Sequence, residues 1–181
     1  MSGDIFTQLV DAHYTALFRF ALSLARNETD ACDLTQQTFY VWASKGHALR
    51  DATKAKSWLF TTLYREYLRN RRRGQRWSSI EDLPPAEADI ADEEIDRVRR
   101  LDGALVMETL AAVEESFRAP LTLFYLEDFS YAEIAETLGF PIGTVMSRLS
   151  RGKAQLRALL SAREKGAQVI PFDQSRRSAN P

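Results

Sequence analysis

Residues 130–149 read Ser-Tyr-Ala-Glu-Ile-Ala-Glu-Thr-Leu-Gly-Phe-Pro-Ile-Gly-Thr-Val-Met-Ser-Arg-Leu, and no other stretch leaves the chain so few ways to fold. Ser130 and Glu133 stand three apart, the spacing at which hydroxyl and carboxylate cap each other's orphan backbone donors, so a helix starts here. Gly139 supplies the left-handed residue that ends it, and Pro141 restarts the chain near the first turn of a second helix. Ile134, Leu138 and Val145 are spaced for a small shared core, with Ala135 small where the second helix passes close. Two short helices around a tight turn, the second carrying small polar and basic side chains, read as a helix-turn-helix and hence as contact with DNA. A plain helical hairpin shares part of this pattern.

A net charge of −1 argues against a nucleic-acid binder, but the distribution of charge along the chain points the other way. Arg65, Arg69, Arg71, Arg72, Arg73 and Arg76 crowd one block with Glu66 as its only acid. Residues 81–96 then carry acids and no Lys or Arg, and residues 141–163 carry Arg148, Arg151, Lys153, Arg157 and Arg163 with no acid. Two basic blocks flanking an acidic one point to two phosphate-facing surfaces on either side of a segment that avoids DNA.

In 181 residues there is room for one ordinary domain or two small ones, and 45% hydrophobic content is enough for folded cores. No apolar run approaches the roughly 18 residues that span a bilayer, and the start lacks a basic region before an apolar segment. A cytoplasmic protein without membrane insertion is expected. Cys32, His13 and His47 cannot assemble a disulfide or a Cys/His zinc site, so neither a metal nor a cofactor is expected, and Cys32 reads as a small buried hydrophobe. Glu114 and Glu115 are adjacent and point to different sides of a helix. The run Gly143-Thr144-Val145-Met146-Ser147 lacks the Lys and preceding glycines of a P-loop. An enzyme is not expected.

Helical periodicity dominates the rest, giving an all-α expectation. The spacing predicts helices over about 5–25, 30–45 (stopped by Gly46) and 56–73, with a loop over 47–55. The third helix buries Leu59, Phe60, Leu63, Tyr64, Tyr67 and Leu68 as one stripe. Its other face carries Trp58, Thr62, Arg65, Arg69 and Arg72. Charged faces are ordinarily just solvated, but a face of arginines headed by an aromatic is also the combination that binds phosphates and stacks on unpaired bases. Residues 97–162 form a second helical block, with an interruption expected at Arg118-Ala119-Pro120 because the residue before proline disfavours helix. Two small helical domains follow, over 1–75 and 101–163, joined by an acidic flexible linker over 76–100 and trailed by a disordered tail over 164–181.

The run Asp33-Leu34-Thr35-Gln36-Gln37-Thr38-Phe39-Tyr40-Val41-Trp42, then Trp58-Leu59-Phe60 leading into an Arg-rich helix, an acidic linker, and the helix-turn-helix above, resembles the extracytoplasmic-function (ECF) sigma factors of bacterial RNA polymerase. The resemblance covers about residues 5–163 in two blocks in the right order. It implies an alternative sigma factor that binds RNA polymerase core and directs promoter-specific initiation. The first domain, like sigma region 2, would bind the clamp helices of the largest subunit through Asp33, Gln36 and Gln37, where Gln37 departs from the usual Glu. It would capture the minus-ten element with Trp58, Thr62, Arg65, Arg69 and Arg72, and the loop over 47–55 would pocket a flipped base. The second, like region 4, would read the minus-thirty-five element and dock on the flap of the second-largest subunit.

For the upstream element the matching residues are Thr144, Ser147, Arg148, Arg151 and Lys153, while Met146 stands where many relatives have Lys. Arg148 and Arg151 lie three apart on one helical face, able to reach guanine edges or phosphates. A cognate anti-sigma factor is a further implied partner. The alternative, an autonomous helix-turn-helix regulator, explains residues 130–157 equally well but leaves the Asp33–Trp42 motif and the Arg face without a role.

Overall fold

The computed structural model describes residues 3–46, 49, 51–74 and 103–167. Among these, seven α-helices occur and no strand: α1 (Gly3–Ala25), α2 (Glu28–Lys45), α3 (Ala55–Gly74), α4 (Gly103–Ala112), α5 (Glu115–Leu126), α6 (Tyr131–Leu138) and α7 (Ile142–Ala167). A 3₁₀ turn, Ala52–Lys54, precedes α3. The expected linker over 76–100 and most of the expected tail lie outside the described residues. Residues 164–167, placed in that tail on sequence grounds, continue α7 instead.

The first three helices form as their sequence dictates. Asn27 caps α2, its side chain accepting from the Asp30 backbone N–H, so the helix starts two residues earlier than periodicity indicated. Gly46 ends α2 in an ordinary helical conformation, φ −62°. Its small size matters because the Trp42 indole lies against it: a Cβ there would sit 2.6 Å from the ring. Of the residues expected inward on α2, Leu34 and Trp42 are buried and Val41 only half-buried, while Leu59, Phe60, Leu63 and Tyr64 of α3 meet Leu17, Phe20 and Ala21 of α1 in the core, with Tyr67 and Leu68 of the same stripe half-buried. Phe20 and Phe60 are 5.4 Å apart, a tilted aromatic pair. Cys32 is half-buried rather than fully enclosed.

The expected helix break at Arg118-Ala119-Pro120 does not occur. α5 runs straight through Pro120, and the break falls at Val113–Glu114. Proline there removes the bond its N–H would give Ser116, yet Phe117, Ala119, Pro120, Leu121 and Leu123 are all buried by the helical path. That burial, about 1.5–3 kcal/mol for each large apolar side chain, outweighs one missing backbone bond. At the actual break Glu114 caps without a side-chain bond, and its N–H donates to Gln155 Oε1 of α7 at 3.1 Å.

The helix-turn-helix forms from α6 and α7 as the sequence required. Ser130 and Glu133 make both halves of the capping box, Gly139 is left-handed at φ 71°, and Ile134, Leu138 and Val145 are buried together. Gly152 lets α7 cross α5 closely, since a Cβ would meet Phe117 and Leu121 at 2.9 Å. The two halves are not separate lobes: α5 packs on α1, and α6 packs on α3.

Candidate nucleic-acid and polymerase interfaces

On α2, Asp33 and Gln36 are exposed and Gln37 is half-buried. They share one helical face at i, i+3 and i+4, and Tyr40, one turn on, extends it with an aromatic side chain that is 69% exposed. Sequence reasoning missed Tyr40; the available signal was a large aromatic two turns from Asp33 on an otherwise polar face. A tyrosine this exposed on a polar face is the residue type interfaces favour.

The outer face of α3 is uneven. Arg65, Arg69 and Arg72 are exposed, Arg69 pairing with Glu66 one turn back, while Thr62 is half-buried. Trp58 is held edge-on against Trp42 with ring centroids 5.0 Å apart, so its indole is fixed by the α2–α3 contact while part of it stays accessible. Ahead of it, Asp51 accepts from the Thr53 backbone N–H at 3.0 Å and its hydroxyl at 2.6 Å, which holds the Asp51 carboxyl below its usual range. Several residues of the 47–55 loop lie outside those described.

The second helix of the helix-turn-helix presents its predicted residues quite differently. Thr144 and Arg151 are half-buried, but Ser147, Arg148 and Lys153 are buried. Arg148 is 6% exposed, its guanidinium 4.1 Å from the centre of the Phe140 ring and close enough to Tyr64 of α3 to act on its ionisation. The Lys153 ammonium donates to Tyr131 Oη at 3.1 Å and lies 4.2 Å above the Phe124 ring, which ties it into its own half of the molecule. Ile142 and Met146 are the outward side chains here, each about half exposed.

Between the halves the polar groups are specific. Glu127, in the loop before α6, accepts from Arg19 Nη2 at 3.1 Å, and its backbone carbonyl accepts from Lys56 Nζ at 2.7 Å. Glu115 accepts from Tyr67 Oη at 2.9 Å and pairs with Arg71. Burial first, then the Glu115 bond, push the Tyr67 phenol up to about 12. Arg118 of α5, 4% exposed, donates to the Ser23 carbonyl at 3.2 Å while its Nε finds no partner. A cavity of about 520 Å³ opens beside it, where Arg26 and Arg71 meet Asp30, Asp33 and Glu115. Among the described residues no cluster of His, Cys, Asp and Glu could hold a metal, and no helix is long and apolar enough to cross a membrane.

Helices of this order, a polar α2 face, an arginine-faced α3 and a capped helix-turn-helix define a two-part initiation-factor architecture, and comparison with known proteins agrees. The sigma-70 region 2 family model matches residues 9–78, and the sigma-70 region 4 model matches residues 104–156. The ECF RNA polymerase sigma factor SigE of Mycolicibacterium smegmatis is 37% identical over 159 residues, covering 85% of this chain and 61% of that one. SigL of Mycobacterium tuberculosis is 31% identical over 154 residues, covering 84% and 86%. The chain belongs to the ECF sigma factors of bacterial RNA polymerase.

Two solved structures share the fold. The sigma factor RpoE of Bartonella quintana, in complex with the anti-sigma factor NepR, superposes with a TM-score of 0.61 at 25% identity over 86% of this chain and 96% of that one. CnrH in complex with the cytosolic domain of CnrY gives 0.59 at 27% over 87% and 88%.

Proposed function

We propose that this chain acts as an alternative sigma factor: it binds the polymerase core and directs initiation at its own class of promoters. The observation that carries this is the pairing of both blocks in one chain, region 2 with the Asp33, Gln36, Gln37 face and region 4 with a capped helix-turn-helix. An autonomous regulator would account for the second block alone. Asp33, Gln36, Gln37 and Tyr40 form the surface for the clamp helices of the largest subunit, and α6–α7 docks on the flap of the second-largest. Trp58, Thr62, Arg65, Arg69 and Arg72 take the opened minus-ten strand, since aromatic stacking with guanidinium contacts suits unpaired bases. Thr144, Ser147, Arg148 and Arg151 meet the minus-thirty-five duplex. Lys153 acts by supporting α7 from behind. The chain works in the cytoplasm as a non-enzymatic subunit, and a cognate anti-sigma factor restrains it.

The test is run-off transcription with purified core over a pool of promoter fragments. Transcripts from a defined subset are the expected result, with Asp33→Ala plus Gln36→Ala losing core binding while the circular-dichroism spectrum is unchanged. Tight repression of a promoter without any polymerase contact would instead favour the autonomous regulator.

A further inference from the structure

The first two turns of α7 carry different chemistry on their two sides. Val145 and Leu149 are buried at 0% and 1% exposure, and Ser147 and Arg148 are buried with them. Ile142 and Met146 stand four apart, and so on one face, and point the other way at 52% and 51% exposure. Four large hydrophobics are exposed among the described residues, and two of them are this pair. Gly143, between them in sequence, is also exposed, and a Cβ added there would meet nothing within 4 Å. An apolar, uncrowded edge thus occupies the N-terminal turns of the second helix, the part of a helix-turn-helix whose side chains reach base edges.

We infer that Met146, with Ile142 one turn before it, is a specificity-determining residue that reads the upstream element through the C5-methyl group of thymine. Neither side chain has a hydrogen-bond donor, and neither has an acceptor of any strength, so they cannot answer the polar atoms that guanine, cytosine and adenine present in the major groove. Thymine alone offers an apolar group there. Packing that methyl against the thioether and the isoleucine removes apolar surface from water, whereas a G·C pair in its place sets polar base atoms against hydrocarbon without a partner. The unbranched methionine side chain adjusts to the methyl's position, because its torsions are soft. A lysine at 146 would bring a charge whose attraction to phosphates is indifferent to the base, so methionine gives up affinity for selection. The inference rests on α7 being the duplex-reading helix of the proposed function.

The experiment uses the full chain assembled with purified core on a promoter fragment from the run-off pool. Each thymine of the upstream element, on either strand, is replaced in turn by deoxyuridine, which removes the methyl and keeps every hydrogen-bonding group. Footprint titration should reveal a position at which the wild type loses about three- to fivefold in affinity. The Ile142→Ala, Met146→Ala double variant should bind the thymine and deoxyuridine duplexes alike there, with urea unfolding unchanged because both side chains are exposed. Met146→Lys should lose most of the same discrimination while its affinity falls more steeply with salt. A wild type indifferent to deoxyuridine everywhere, or a double variant as sensitive as wild type, would overturn the inference and leave the proposed function intact. Loss of core binding by the double variant with no methyl effect in the wild type would mark the pair as a protein contact and overturn it as well. No upstream footprint with core at all would remove the proposed function and this inference together.

Discussion

At Glu127 burial and neighbouring cations pull the carboxyl in opposite directions. Burial raises it above the ordinary 4.5, and Arg19, Lys56 and the bond from Arg19 pull it back without prevailing, while the neighbouring Asp128 adds to the rise. The closed chain therefore holds this proton more tightly than an open one. Its contribution to closure is complete below pH 4.5 and is lost as pH rises through the raised value. Glu127→Gln keeps an acceptor for Arg19 and deletes the buried charge, so that variant should stay at least as compact as wild type at neutral pH. It should also lack the wild type's loss of closure as pH rises from 4.5 towards neutral. His13, pushed down by burial and Lys56, titrates with the opposite sign but is common to both proteins. Scattering across that range decides, and opening of the Gln variant at neutral pH would contradict this assignment. Gly46→Ala makes a second residue-scale case. Its Cβ would stand 2.6 Å from the Trp42 ring, so the indole must shift against Trp58, with an expected loss of about 1–3 kcal/mol in urea unfolding and altered tryptophan fluorescence.

Among the elements, α6 is short enough for its ends to decide its stability. Ser130→Ala removes the hydroxyl that accepts from the Glu133 N–H and donates to the Glu133 carboxylate, leaving that carboxylate only the backbone N–H of position 130, so about 1 kcal/mol should be lost in thermal or urea unfolding. The bonds from Ser130 hold that carboxyl below its usual value, so the benefit of the box should fade as pH falls through it. α7 gives a sharper contrast. Arg151→Ala and Arg148→Ala should each weaken upstream-element recognition within holoenzyme by about 1–3 kcal/mol. Arg148→Ala should also change the isolated chain, because Arg148 is enclosed over Phe140 near α3. Footprinting reads the first effect and scattering the second. An Arg148→Ala chain with an unchanged scattering profile and an unchanged footprint would contradict this role for Arg148.

For the molecule as a whole, the closing contact divides into parts that salt reaches and parts it does not. Arg71 and Glu115 are each 45% exposed in their side chains, so their pair adds little, within the roughly 0–1 kcal/mol range of surface ion pairs. Glu127 and Phe129 are buried, beyond easy screening. The isolated chain should accordingly remain compact in small-angle scattering when salt is raised several-fold. Opening of the wild type by salt alone would show that exposed ion pairs hold the halves together.

What the sequence by itself determined is the local structure with local causes. Ser130, Glu133 and Gly139 specify the start and end of α6 through bonds that span at most four residues. The stripe of Leu59, Phe60, Leu63 and Tyr64 specifies the buried side of α3, because periodicity of apolar residues is itself a statement about one face. The Asp33, Gln36, Gln37 face comes from the resemblance to the family motif rather than from periodicity, and Tyr40 escapes both, since a lone exposed aromatic looks like a core residue until its surroundings are known. Tertiary structure decided the rest. It overrode proline's local preference at Pro120 by burying the residues around it, and it moved the break to Glu114, whose N–H is answered by Gln155, 41 residues away. It also turned Arg148 and Lys153 from solvent-facing cations into enclosed ones. Those outcomes depend on which surfaces meet, and contact between residues a hundred positions apart, as between Arg19 and Glu127, leaves no trace in the spacing of either neighbourhood.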